Sequence, residues 1–188
     1  MAGTTLSTLA NYLDTDATHE HTYFGNSNGP NANLTTVGTT YETTTYDGET
    51  QKIGTYYNFQ AATIGTGAAL TDDGEQAPDS FCPAGWQLPI GNTQNVDKAF
   101  QKLLNSYSIS NNSEGSAAAR KYPLSYLLSG SYYWGSGRLY DLGSSGNWWS
   151  GTFEEEGGAY GLDIYEDEIY ADDNRSMGNG FPLRCVST

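Results

Sequence analysis

The chain is short of positive charge. Of its 188 residues only 8 are lysine or arginine, against 22 aspartates and glutamates, which leaves a net charge of −14. Phosphate backbones and anionic lipid headgroups repel such a protein, so nucleic acid and membrane surfaces are poor partners for it. Long apolar runs are missing as well. No stretch approaches the roughly 20 residues that span a bilayer, so membrane insertion is not expected. The opening Met1-Ala2-Gly3-Thr4-Thr5-Leu6 has neither the basic nor the apolar region of a secretory signal. Cysteine occurs only twice, at Cys82 and Cys185, with no CxxC or ligand cluster around either. That spacing disfavours zinc sites and thioredoxin chemistry. A disulfide closing a long loop and a pair of buried free thiols both stay open on these grounds.

What is present is aromatic and polar. Apolar residues make up 37% of the chain, and charged residues only 16%. The remainder is heavy in Gly, Thr, Ser and Asn, which favours short strands and loops over long helices. A 13% aromatic share supplies the burial that disordered chains lack, so one folded domain is expected. The aromatics are uneven. Between Tyr132 and Asn174 stand six of the 15 tyrosines and three of the four tryptophans, and nine of the 22 acids fall between Glu154 and Asp173. Tyrosine offers large contact area at little conformational cost, as in antibody paratopes, so this stretch reads as a binding surface rather than an active site.

Along the chain, residues 1 to about 50 are rich in Thr, Asn and Gly, with Leu6, Leu9 and Leu13 able to line a short helix. The segment Thr55-Tyr56-Tyr57-Asn58-Phe59-Gln60-Ala61-Ala62-Thr63 predicts a strand entering a buried turn. Val96, Ala99, Phe100, Leu103, Leu104 and Tyr107 recur at helical spacing, with Thr93 or Asn95 as cap. A second short helix is predicted at Ala117-Ala118-Ala119-Arg120-Lys121, ended or kinked by Pro123. Strands are predicted over Tyr126–Trp134, Arg138–Leu142, Asn147–Phe153, Tyr160–Tyr165 and Phe181–Val186, separated by glycine-rich turns.

Catalytic chemistry finds little support. His19-Glu20-His21 lacks the HExxH spacing and reads as a solvated loop. Asp72-Asp73-Gly74 reads as a surface turn. The dense carboxylates from Glu154 to Asp173 invite a glycosidase pair, but strand alternation places Glu166, Glu168 and Tyr170 on one face and Asp167 and Ile169 on the other. A solvated acidic rim does not supply the perturbed pKa that a catalytic acid needs. Structural calcium is the one cofactor these acids leave open, and no other is expected.

Several landmarks recur together: Cys82-Pro83-Ala84-Gly85-Trp86-Gln87-Leu88-Pro89, the amphipathic helix after it, Gly146-Asn147-Trp148-Trp149-Ser150, and the closing Gly180-Phe181-Pro182-Leu183-Arg184-Cys185-Val186. In that combination, over roughly residues 52 to 187, the chain resembles the Fibrobacter succinogenes major paralogous domain and the formylglycine-generating-enzyme branch of the C-type lectin fold. The resemblance implies a disulfide between Cys82 and Cys185. No cysteine is left for the oxidase chemistry of that branch, so an enzyme descended from it is only the third reading. The chain has neither an EPN or QPD tripeptide nor a WND motif, so calcium-dependent sugar recognition is not carried over.

The variable proteins of diversity-generating retroelements share this fold. Their ligand-contacting codons, of AAC or AAT type, can become Asn, Tyr, Ser, Asp, Gly, Phe, Arg or His, but not Trp, Glu, Gln, Lys or Met. Tyr132, Tyr133, Arg138, Tyr140, Asp141, Asn147, Phe153, Tyr160, Asp163, Tyr165, Asp167, Tyr170, Asp172, Asp173 and Asn174 all belong to the permitted set. Trp148, Trp149, Glu154 to Glu156, Glu166 and Glu168 do not, and would be fixed scaffold.

The resulting expectation is an α+β, C-type lectin-like fold of the formylglycine-generating-enzyme subtype, with one or two helices and a twisted, mostly antiparallel sheet. Residues 1–51 would form an arm packed on a ligand-binding domain at 52–188. The expected function is non-catalytic binding, chiefly of a protein ligand, by the fifteen positions above together with Trp134 and Trp149. A cell-surface carbohydrate-binding module is the alternative. The expected setting is a cell surface, the extracellular space or a virion, and the oligomeric state is left open.

Overall fold

The computed structural model describes residues 41–44, 50–54, 56–63, 68–69, 77, 79–91, 99–134, 136, 138–154 and 158–187. The Leu6, Leu9 and Leu13 face, the His19-Glu20-His21 cluster, the Asp72-Asp73-Gly74 turn, the helix start from Thr93 to Val96, and Glu155 and Glu156 lie outside the described residues.

In chain order the described elements are β1 (Tyr41–Thr44), β2 (Thr50–Gly54), α1 (Phe59–Ala62), β3 (Ala68–Ala69), β4 (Trp86–Gln87), α2 (Ala99–Ser106), α3 (Ser113–Ala119), β5 (Ser131–Tyr133), β6 (Arg138–Tyr140), β7 (Ser145–Phe153), β8 (Gly158–Tyr165), β9 (Ile169–Ser176) and β10 (Val186–Ser187). The protein is α+β, with few helices and mostly antiparallel strands. Its main sheet has the order β3-β7-β8-β9, parallel between β3 and β7 and antiparallel elsewhere. The other ladders are two-stranded: β1 with β2, β4 with β10, and β5 with β6.

Because side chains alternate along a strand and cross-strand partners share a face, the register assigns the two sides of the sheet. Trp148 pairs with Leu162, and Ile164 with Ile169. These four side chains meet Phe100 and Leu104 of α2, Ala119 of α3, and Leu124 and Tyr126, in one buried cluster. The helices therefore cover this side. Trp149, one residue on, points the opposite way. It joins Phe59, Cys82, Leu88, Ala159, Met177 and Phe181 in a second cluster, donates its indole N–H to the Tyr57 carbonyl at 2.8 Å, and lies 4.2 Å from the Phe181 ring centroid. The two adjacent tryptophans thus serve two cores, and burying each contributes on the order of 2–3 kcal/mol.

The second core is closed covalently. Cys82 and Cys185 form a disulfide with their Cα atoms 5.8 Å apart, beside the ladder of β4 with β10. Phe181 bridges Tyr57 in an antiparallel pair, and their N–H and C=O groups exchange hydrogen bonds of 2.9 Å. The segments before β4 and after β9 are in this way locked onto one side of the sheet.

The secondary-structure expectations need several corrections. Tyr56 to Thr63 is not a strand. Only Tyr57 makes a bridge, after which the Asn58 side chain accepts from the Ala61 N–H at 2.8 Å and starts α1. The second helix begins earlier than predicted, at Ser113, because Asn112 caps it by accepting from the Gly115 N–H. Tyr107 lies beyond the end of α2 and is exposed rather than on its buried face. Glu166, Asp167 and Glu168 do not alternate along a strand, since all three form the exposed turn between β8 and β9. Ile169–Ser176 is a full strand that lies outside the predicted strand segments.

Candidate functional site

The sheet side that carries Trp149 also carries polar residues of the stretch from Tyr132 to Asn174. From the register, Asn147 lies opposite Asp163, and Asp163 opposite Tyr170. A bulge then intervenes: two steps along β8, from Gly161 to Asp163, match three along β9, from Asp173 to Tyr170. The extra residue switches the alternation of β9. Under strict alternation Asp173 and Arg175 would share the helix-covered side with Ile169 and Ala171. With the bulge they stand on the side of Asp163 and Tyr170.

There they form a network centred on Arg175. Its Nε donates to Asp163 Oδ2 at 2.7 Å, its Nη2 donates to the same oxygen and to the Tyr165 hydroxyl at 2.5 Å, and Nη2 also forms an ion pair with Asp173 Oδ2 at 2.6 Å. One guanidinium thereby ties two half-exposed groups, Tyr165 and Asp173, to a carboxylate with no solvent exposure. Burial pushes the Asp163 carboxyl up to about 6 against the pull of the Arg175 charge and of Asn147, because a desolvated anion is costly even when paired. Asp163 Oδ1 makes no geometrically sound hydrogen bond, which is consistent with that cost. Burial pulls the Arg175 guanidinium down, but the charges of Asp163 and Asp173 outweigh it and its pKa rises. At the rim Asp172 is raised by burial and by the neighbouring Asp173. The Tyr170 ring stands edge-on to Tyr165, with centroids 6.3 Å apart, and its hydroxyl donates to Glu168 at 2.5 Å.

The second group of side chains lies on the β5–β6 hairpin. Tyr132 pairs with Leu139, and both turn inward to pack against Tyr56 and Ala61. Tyr133, Arg138 and Tyr140 alternate outward and are exposed. The Tyr133 ring is edge-on to Tyr140 at 6.2 Å and 6.0 Å from Trp134, which is half-buried in the turn after β5. The hairpin is held against the sheet by a close crossing of Gly130 and Gly146. A Cβ on Gly130 would stand 2.3 Å from the Tyr140 carbonyl oxygen, and its φ is +66°. A Cβ on Gly146 would stand 2.2 Å from the Leu127 carbonyl oxygen.

The expected surface is thus only partly a surface. Tyr133, Arg138, Tyr140, Asp141, Asp167 and Asn174 are exposed, and Tyr132, Trp134, Phe153, Tyr165, Tyr170, Asp172 and Asp173 are half-exposed. Four expected contact residues are corrected. Trp149 is a core residue, Asp163 is the buried anchor of Arg175, Asn147 lies beneath Asp163, and Tyr160 is buried on the helix-facing side of the sheet. Arg175 was missed. The only base between Glu154 and Asp173 or just beyond was a usable signal, since a lone guanidinium among acids is commonly paired. Asn111 was missed too: its side-chain oxygen accepts from the Ile169 N–H at 3.1 Å and steadies the turn into β9. Among the described residues, no three His, Cys, Asp or Glu side chains converge as a metal site would require. Scanned against protein-family models, curated proteins and solved structures, the chain has no significant match.

Proposed function

We propose that this chain is a non-catalytic binding protein whose outward tyrosines recognise a protein ligand, and that its scaffold is a C-type lectin-like domain of the formylglycine-generating-enzyme subtype. In its sharpest form the proposal makes the chain the variable protein of a diversity-generating retroelement. The observation that carries the reading is the outward set of permitted residues over cores that hold Trp148 and Trp149, although Glu166 and Glu168, outside that set, are exposed as well and Trp134 is half-buried. The tryptophans that AAC or AAT codons cannot reach by adenine mutagenesis, Trp148 and Trp149, are in the two cores. Tyr133, Arg138, Tyr140, Asp141, Asp167 and Asn174, all within the permitted set, are exposed. Rigid strands presenting adaptable polar and aromatic side chains are what a variable binding surface needs. Support for the scaffold comes from the disulfide and from the pairing of the chain-closing β10 with β4.

Burial also trims the set of replaceable positions, because Asn147, Tyr160 and Asp163 cannot touch a ligand without opening the core. Sequencing the locus and several sibling clones tests the proposal. A neighbouring reverse-transcriptase gene, a near-repeat of the 3′ end, and differences confined to the exposed permitted positions are expected. Differences spread evenly over core and surface would remove the retroelement reading.

A further inference from the structure

We infer that the outer face of β5–β6, with the turns that adjoin it, is a docking surface for a cationic protein segment, one that lays lysine or arginine side chains against the rings of Tyr133 and Tyr140. The inference rests on the binding reading above and adds the chemistry of the partner.

Two observations meet at one place. The first is an aromatic pair that the fold leaves uncovered: Tyr133 and Tyr140 are 45% and 43% exposed, whereas the other large rings from Tyr126 onward are at least half-buried. Strand alternation points Tyr133 and Tyr140 the same way, and their edge-on packing holds the two rings as a unit. The second is charge. Asp141 follows Tyr140 directly and begins the turn into β7, where the Ser144 and Ser145 N–H groups both donate to its carbonyl. Ser145, the first residue of β7, is registered opposite Tyr165, the last of β8. The Asp141–Ser144 turn and the Glu166–Glu168 turn therefore lie at the same end of the sheet, on neighbouring strands. Asp141, Glu166, Asp167 and Glu168 are all exposed there.

Exposed aromatic faces beside unneutralised carboxylates favour a cation twice over. The ring quadrupole attracts an ammonium or guanidinium by about two- to fivefold in affinity per exposed ring. The acids speed encounter with positive partners and repel anionic ones, in a chain of net charge −14. Arg138, paired across the hairpin with Tyr133, is the one base on β5–β6 itself. It weakens this field and so provides a handle on it.

The test is selection of a random phage-displayed peptide library on the full chain, followed by affinity measurement of the recovered peptides at low and high salt. The variants are Tyr133→Ala/Tyr140→Ala, Asp167→Lys and Arg138→Glu, all at exposed positions, with unchanged thermal melts as the folding control. Peptides rich in lysine and arginine are expected. They should bind the double tyrosine variant about tenfold more weakly or worse, a typical loss for an interface anchor. Asp167→Lys should weaken them, Arg138→Glu should tighten them, and high salt should loosen them. Peptides that depend on the two tyrosines but are neutral or acidic, and indifferent to both charge variants, would overturn the cationic partner while leaving the aromatic binding surface standing. A selection yielding no peptide that depends on the tyrosines would overturn both.

Discussion

Replacing Asp163 by Asn makes the cost of burying this carboxylate measurable. The carboxyl titrates at about 6 in the folded protein, against an ordinary value of 3.8. Its folded pKa is raised, so between those two values the native state binds more protons than the unfolded state, and stability falls as pH rises. Below 3.8 the group is neutral in both states and its burial penalty is absent. Above about 6 it is charged in both states and the penalty is complete. A gap of about two pH units, at about 1.4 kcal/mol each, corresponds to about 3 kcal/mol. The assay is urea unfolding, followed by tryptophan fluorescence at several pH values from 4 to 7, of the wild type and Asp163→Asn. Carboxylates remote from Asp163 cancel in the difference. That difference should shift by about 2 kcal/mol in favour of the Asn variant between pH 4 and 7, the rest lying below pH 4. Carbon-detected NMR of the Asp163 side chain should place its midpoint near 6. Parallel stability curves, or a midpoint in the ordinary carboxylate range, would refute the claim that desolvation outweighs Arg175.

Three other perturbations probe the same scaffold. Arg175→Ala should cost about 3–5 kcal/mol at pH 7, because it leaves a buried carboxylate without its counter-charge; adding Asp163→Asn should restore much of that loss, and a purely additive double-mutant cycle would argue against the pair. Replacing Cys82 and Cys185 by Ser should lower stability by about 4–5 kcal/mol, the loop-closure entropy of a ring of about 100 residues; thiol titration of the unreduced, unfolded wild type should find no reactive sulfhydryl. Gly130→Ala should cost about 1–3 kcal/mol, since it combines a left-handed φ with a backbone collision at Tyr140; weakened hydrogen-exchange protection confined to β5 and β6 is the expected sign, and an unchanged melt would show that the crossing has room to give.

The parts of the fold legible in the sequence were those in which a single strand or helix carries its own pattern. The strand at Asn147–Phe153 is legible from its own residues, and it pairs as period-two reasoning expects, although Trp149, expected to touch a ligand, lies in the core. Phe100, Leu103 and Leu104 mark α2 for the same reason. The disulfide came from resemblance to a family and not from spacing. What escaped was set by neighbours. Ile-Tyr-Ala-Asp-Asp-Asn-Arg-Ser has poor intrinsic strand propensity and becomes β9 because β8 offers it a ladder and the helices cover Ile169 and Ala171. The lone base among the acids hints that Arg175 is paired, but not with which acids, because a bulge that no periodicity announces decides which side Asp173 and Arg175 occupy. Tyr56 to Phe59 reads as a strand because aromatic residues favour strands, but Asn58 turns the chain into α1 before a ladder can form.

The arrangement on β8 constrains how the candidate surface can change. Tyr165 and Asp163 are two residues apart on the same side of one strand and bind the same guanidinium, yet they are not equally replaceable. If Tyr165 is exchanged, Arg175 loses one hydrogen bond and keeps both carboxylates, so the surface changes chemistry while its support stays in place. If Asp163 is exchanged, the support goes: Arg175 loses its buried partner, and Tyr165 and Asp173 lose the group that ties them to the sheet interior. Tolerance to substitution should therefore drop sharply between these neighbouring positions. A binding surface that must vary needs this division between replaceable outer groups and a fixed inner anchor, because side chains held only by one another would lose their order at each replacement.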